Sequence, residues 1–288
     1  MQVLVRGAGP ADPPAARAGA GFGSPEPFVI EWPRGEGILS FEVPVPDAAG
    51  HRVAAGDRLT YVCFPVPAGA PADEDTFYAS TALALDVMFT DGSRLSDLAP
   101  LDQHGHRVTP EAQCAAKTLY VDQWNARAIA LDAVAGRVVE RVIARVRRHP
   151  GQALTAFLDD VGVAPAPARP ASALGWVRTT RGTHSSGRFS RGNTAPIVAV
   201  PHGGVFGIPM TDAAAADWPY AYHAHNRRPG NRPAIQAFAT SHRPSPWVRD
   251  RGVFQLMPSA LDAPDCGRAA RALAFGHDGE EAGPHLYR

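Results

Sequence analysis

The sequence predicts an all-β chain built as two successive β-sandwich domains, and three observations carry that reading. Short runs of β-branched and aromatic residues recur along the chain, each bounded by Gly, Pro, Asp or Ser clusters. The composition is that of a turn-rich protein, with 28 glycines, 28 prolines and 19% charged residues in 288 positions. Between two such stretches lies Ala164-Pro-Ala-Pro-Ala-Arg-Pro-Ala171, a stiff extended segment that marks a linker over 164–172.

Taken in order, residues 1–26 hold few large apolar groups and read as a flexible lead-in. The strand pattern begins at Phe28-Val-Ile. Ile38-Leu-Ser-Phe-Glu-Val-Pro-Val45 alternates, and Leu59-Thr-Tyr-Val-Cys-Phe64 and Leu83-Ala-Leu-Asp-Val-Met-Phe89 are further strands. The last of these closes on the turn Thr90-Asp-Gly-Ser93. One segment is two-faced: Val138, Val139, Val142, Ile143 and Val146 fall at helical spacing. Periodicity alone favours a helix there, and context favours a strand. Val121-Asp-Gln-Trp-Asn125, that run, and Ala156-Phe-Leu-Asp-Asp-Val-Gly-Val163 resemble the closing strands of jelly-roll carbohydrate-binding modules. The resemblance implies a galactose-binding-like jelly roll over 27–163, serving as an accessory domain. A second β-sandwich domain follows over 173–288.

Charge excludes several classes of partner. Twenty-eight basic residues balance 28 acidic ones, so no global field points to nucleic acid or anionic lipid. No apolar run has the length of a membrane span. Cys63, Cys114 and Cys266 cannot all pair within the chain, and a Cys63–Cys114 bridge is left open by spacing alone. The amino terminus lacks a basic segment followed by a long apolar core, so no signal peptide is expected.

The second domain opens on a polar loop, residues 178–192, with Gly182, Gly187 and Gly192 five positions apart. Hydroxyl, amide and guanidinium groups of this kind suit a ligand rich in hydroxyls. The loop runs into Ile197-Val-Ala-Val200, which reads as a short strand stopped by Pro201.

Three ordered blocks then carry a family resemblance. The first joins Thr180-Arg-Gly-Thr183 to Gly192-Asn-Thr-Ala-Pro-Ile-Val-Ala-Val-Pro-His-Gly203. The second is Ala237-Phe-Ala-Thr-Ser-His242 with Asp250, Gly252 and Leu256-Met-Pro258, and the third is His277-Asp-Gly-Glu-Glu-Ala-Gly-Pro-His-Leu-Tyr287. Together they resemble the amino-terminal β-domain of glycoside hydrolase family 92, the calcium-dependent exo-acting α-mannosidases. The resemblance implies mannose-containing glycans as ligands, calcium as cofactor of the complete enzyme, and relatives that are often secreted. It places the catalytic carboxylates and calcium ligands in a carboxyl-terminal helical half that no stretch here resembles. The expectation is therefore an incomplete, truncated domain with no catalytic residue and no metal bound by this chain.

What the chain supplies on this reading is substrate contact. Trp218, Tyr220 and Tyr222 alternate and would share one face of a strand, with sugar stacking and plain core burial weighing equally. His223 and His225 on the other face lack a third ligand and read as exposed or hydrogen-bonded histidines. The loop Ser241-His-Arg-Pro-Ser-Pro-Trp-Val-Arg-Asp250 is the strongest binding candidate, with His242, Trp247 and Asp250 implied by resemblance as substrate neighbours. Ser245-Pro-Trp departs there from the family's small-residue run. Asn193 of the polar loop joins the substrate-binding set. The Asp278-Gly-Glu-Glu281 run matches no calcium loop and reads as a solvated turn. In the first domain, Asp122, Gln123 and Trp124 with His104 and His106 have a lectin-like composition, but sandwich core ranks first for Trp124. The alternative to a glycosidase fragment is a stand-alone, non-catalytic carbohydrate-binding protein.

Overall fold

The computed structural model describes every residue except 1–2, 15, 17, 184, 186–191, 201–202, 216, 223–232, 243–247, 250–253 and 260–266. The chain divides into two compact units, one of residues 1–13 and 18–167, the other of 14–17 and 168–288. Both are built from antiparallel sheets, and the fold is all-β.

In the first unit the strands are β1 (Val3–Arg6), β2 (Phe28–Trp32), β3 (Ile38–Val43), β4 (Asp57–Pro65), β5 (Leu83–Phe89), β6 (Asn125–Ala130), β7 (Val139–Arg147) and β8 (Leu154–Pro165). They form a five-stranded sheet, β1-β2-β8-β4-β6, and a three-stranded sheet, β3-β7-β5. The inward-facing residues of both sheets make one core, with Ile30, Trp32, Leu59 and Leu158 from the first and Leu85, Val87, Val142 and Val146 from the second. The Trp32 indole donates to the Arg147 carbonyl at 3.1 Å, satisfying its one polar atom inside that core.

The run with helical spacing is strand β7. A bulge explains its periodicity: Met88 pairs with Arg141, but Phe89 pairs with Val139, leaving Glu140 as the extra residue. Val139 and Val142 therefore both face the core although they are three apart. Ile143 points the other way and is still buried, because residues 95–98 and the short helix α2 (Pro110–Ala116) pack against β5, and α2 also touches β7. The segment 121–124, by contrast, is a turn and not a strand. Asp122 there adopts φ 62°, a left-handed conformation that a strand excludes.

The lead-in also departs from expectation. Val3–Arg6 is strand β1, paired with β2, and residues 18–24 lie as a strap on the outer face of the five-stranded sheet. Asp159 on β8 holds it, accepting from the backbone N–H of Gly23 and Ser24, each at 3.0 Å, and from the Ser24 hydroxyl at 2.8 Å. Small residues permit the close approach: a Cβ on Gly9 would stand 2.0 Å from the Ala20 carbonyl oxygen. The strap docks through backbone donors rather than large apolar groups, which composition alone does not reveal. At the other end of this unit, β8 runs on through Pro165, opposite Asp57, so the first residues of the 164–172 segment are strand.

A buried polar network crosses the interior beside β6. Arg127 contacts Asp102 at 3.2 Å with both side chains almost wholly buried, and it donates to Gln113 at 2.8 Å and Thr118 at 2.9 Å. Asp102 also accepts from Gln113 and from the backbone N–H of His104 and His106. Burial pushes the Asp102 pKa up, but those donors and the Arg127 charge outweigh it, and the net shift is downward. His104 and His106 thus serve this network through their backbone. The neighbouring Gln103 side chain accepts from Ala128 N–H and donates to the Ala126 carbonyl, covering the outer edge of β6. Cys63 is buried and Cys114 partly exposed, both as free thiols. Burial pushes the Cys63 thiol up to about 12.

The second unit holds β9 (Phe206–Met210), β10 (Ala234–Ile235), β11 (Ala237–Ser241), β12 (Gln255–Leu256) and β13 (Leu273–Ala274). They form a three-stranded sheet, β12-β11-β9, and a two-stranded one, β10-β13. Ile208, Met210, Ala237 and Ala239 bury one face of the former. The expected strand at 197–200 reduces to a single bridge, Val198 with Gly207. The prolines and glycines that bound this run leave it too short to pair further.

Candidate functional site

The chemistry of the second unit gathers around Glu280. Its side chain is 4% exposed, and three donors converge on its carboxylate: Tyr220 at 2.5 Å, Tyr287 at 2.7 Å and His277 Nδ1 at 2.7 Å. Burial alone would raise the carboxyl pKa; the bonds from His277, Tyr220 and Tyr287 outweigh it, and Glu280 titrates below its ordinary range. The same burial, joined by the bond to Glu280, pushes both tyrosine hydroxyls far up, so they stay protonated donors. Three donors hold Glu280 ionised, and it anchors the residues around it.

His277 extends this anchor toward Tyr222. Its second ring nitrogen, Nε2, lies 2.9 Å from the Tyr222 carbonyl oxygen, so the ring bridges the Glu280 carboxylate and the Tyr222 backbone. The two rings stack in parallel, with centroids 3.7 Å apart and planes 8° off. Tyr222 N–H in turn donates to the Thr183 hydroxyl at 3.1 Å, and Thr183 donates to the Thr180 carbonyl at 2.8 Å. Thr179 reaches the Ala282 carbonyl at 3.0 Å, while the Phe238 ring of β11 meets Tyr287 edge-on at 6.3 Å. All three sequence blocks that carry the family resemblance therefore meet at this cluster.

The expected residues fall into several groups. Tyr222 and Trp218 are half-buried, and Tyr220 between them is buried at 1% exposure. They do not share a strand face: residues 217–222 form no strand, since Pro219 removes a ladder donor and Thr211 takes the Ala221 N–H. His242, just past the end of β11, and Asn193 are exposed. Trp247, Asp250, His223 and His225 lie outside the described residues. The reading of 278–281 as a solvated turn holds for Asp278 and Glu281 but fails for Glu280. Glu281 pairs with Arg288 at 2.8 Å, and Asp217 with Arg249 at 2.9 Å.

Among the described residues, no group of three or more His, Cys, Asp or Glu side chains is arranged to hold a metal ion. The acids of the second unit that are described are locked, paired with arginine, or isolated at the surface, a poor match for the hard, multi-oxygen shell of calcium.

Comparison with known proteins adds a family to this geometry. Residues 176–288 match the family model described as the Glycosyl hydrolase family 92 N-terminal domain. No curated protein matches the chain. Among solved structures, a carbohydrate-binding module of the beta-sandwich super family is 16% identical at a TM-score of 0.33, covering 57% of this chain and 53% of its own. A beta-1,2-glucanase from Parabacteroides distasonis is 14% identical at a TM-score of 0.34, covering 54% of this chain and 21% of its own. The chain thus spans about half the length of the first and about a fifth of the second.

Proposed function

We propose that residues 176–288 form the substrate-facing β-domain of an exo-acting α-mannosidase, supplying glycan contacts to hydrolysis whose carboxylates stand on a separate catalytic half. The supporting observation is the convergence of the three family blocks on Glu280, which fixes Tyr222 through His277. On this reading Tyr222 and Trp218 meet the apolar face of a terminal mannose, and His242 and Asn193 bond its hydroxyls. Trp247 and Asp250, which follow His242 in the sequence, join this set on the same reading. Inverting hydrolysis needs an acid and a base carboxyl far enough apart to admit a water, and on this reading no pair among the described residues takes those roles. On this reading calcium belongs to the catalytic half, as the family resemblance implies.

The test is hydrolysis and binding by the 288-residue protein. With an aryl α-mannoside, no turnover is expected with calcium or with chelator. Methyl α-mannoside is expected to bind weakly by saturation-transfer NMR, and Tyr222→Ala to weaken it about tenfold, the loss of one stacking contact. Chelator-sensitive turnover would overturn the division of labour. Binding unchanged in Tyr222→Ala would overturn the site.

A further inference from the structure

The outer face of the five-stranded sheet in the first unit carries a row of aromatic rings that the inter-sheet core does not use. Phe64 and Phe157 are opposed in register on β4 and β8, and their rings meet edge-on at 6.1 Å. Trp124, in the turn before β6, lies 5.4 Å from Phe64. The row continues onto the strap, where Phe22 meets Trp124 at 6.2 Å. Although they point away from the core, Phe64 and Phe157 are only 1% and 8% exposed.

Two polar atoms in this turn are out of place in a sealed interior. The Trp124 indole N–H and the Gln123 side-chain carbonyl oxygen are both buried, and neither has a hydrogen-bond partner among the described residues. Unpaired buried groups are costly and rare in folded proteins. One is a donor and the other an acceptor, on consecutive residues. That is the complement of a hydroxyl group, which both accepts and donates. Aromatic rings beside a donor and an acceptor make up the chemistry of a sugar subsite.

A short strap covers this row. Residues 18–24 consist of Ala, Gly, Phe and Ser, and Phe22 is their one large side chain. Their attachment to the sheet includes the bonds to Asp159. Lifting them would uncover the aromatic row.

We infer that Trp124, Gln123 and Phe64 form a second carbohydrate subsite, for a pyranoside with an open apolar face, closed in the free protein by residues 18–24. It lies in the first unit and stands independently of the function proposed for the second. The sugar hydroxyl accepts from Trp124 and donates to Gln123, while its ring stacks on the aromatic row after the strap lifts.

The test uses the full chain labelled with 5-fluorotryptophan, with Trp124→Phe identifying its resonance among the five tryptophans. Methyl α-mannoside and methyl β-glucoside serve as probes. The Trp124 signal is expected to shift saturably with one of them. Phe22→Ala, which loosens the cover, should tighten binding about fivefold by removing the cost of opening. Gln123→Ala should weaken it by a similar factor, with the Trp124 signal otherwise at its wild-type position. Should Phe22→Ala fail to fold, Ser24→Ala loosens the same strap at its Asp159 anchor. A Trp124 signal that neither sugar moves, in the wild type or the loosened variant, would overturn the inference and leave a structural water as the partner of both atoms. A saturable shift of Trp124 in a Tyr222→Ala background would separate this subsite from the one in the second unit.

Discussion

At the scale of single residues, two carboxylates in this protein are shifted in opposite directions. Glu280 has three donors and stays ionised; Asp160 has no comparable set. It follows the anchor residue Asp159 in a left-handed conformation, φ 47°, with its carboxyl against Gly23 of the strap. Loss of water around that carboxyl, then the charge of Asp159, push its pKa up to about 6. A raised carboxylate favours the folded state at low pH, and that advantage fades as pH climbs from 3.8 toward 6. Asp160→Asn is therefore expected to raise the melting temperature at pH 7 and leave it unchanged near pH 3.5; equal effects at both would show that charge is not the cause. For Glu280 the sign reverses. Its pKa is depressed, so its contribution is present above about pH 4.5 and is lost as pH falls through the folded value. Glu280→Ala leaves three donors unpaired and should destabilise the second unit by about 3 kcal/mol. Glu280→Gln keeps an acceptor for the tyrosines, while its amide N–H can donate to His277 Nδ1, so about 1 kcal/mol is expected. Chemical denaturation of the two variants checks both values. The aromatic and hydroxyl residues of this site were legible in sequence as residue types. Glu280 was not, because an acid beside Asp278 and Glu281 looks solvated until the fold brings Tyr220 to it.

At the scale of elements, strand identity followed alternation closely, and the misreadings have local physical causes. The bulge in β7 put buried valines three apart and imitated a helix. Residues 121–124 carry strand-forming side chains but are held as a turn, because Asn125 accepts from Tyr120 N–H and donates to the Tyr120 and Gln123 carbonyls. Those bonds bend the chain in a way that side-chain type does not advertise. The Arg127–Asp102 pair likewise ties the loop around residues 101–107 to β6. Arg127→Ala would strand a buried carboxylate, at a cost of about 3–5 kcal/mol. Arg127→Ala combined with Asp102→Ala should recover much of that loss, and a double-mutant cycle measures the difference. A double variant no more stable than Arg127→Ala would mean that packing, not charge, dominates.

At the scale of the whole molecule, the composition announces many turns, and the chain divides into two units, leaving the first near residue 167. The lead-in escaped notice because its attachment runs through backbone groups, which no side-chain pattern records. Glycan binding by the second unit and by the face under the strap are separate expectations, and each can fail alone. One further consequence lies in the Gln103 side chain. By occupying Ala126 C=O and Ala128 N–H it behaves as a one-residue substitute for a sixth strand of the five-stranded sheet, and Asp102 bridges Ile129 beside it. With these two groups taken, that margin of the sheet is a poorer template for a passing chain. At this edge the fold thereby discourages strand-to-strand association between copies.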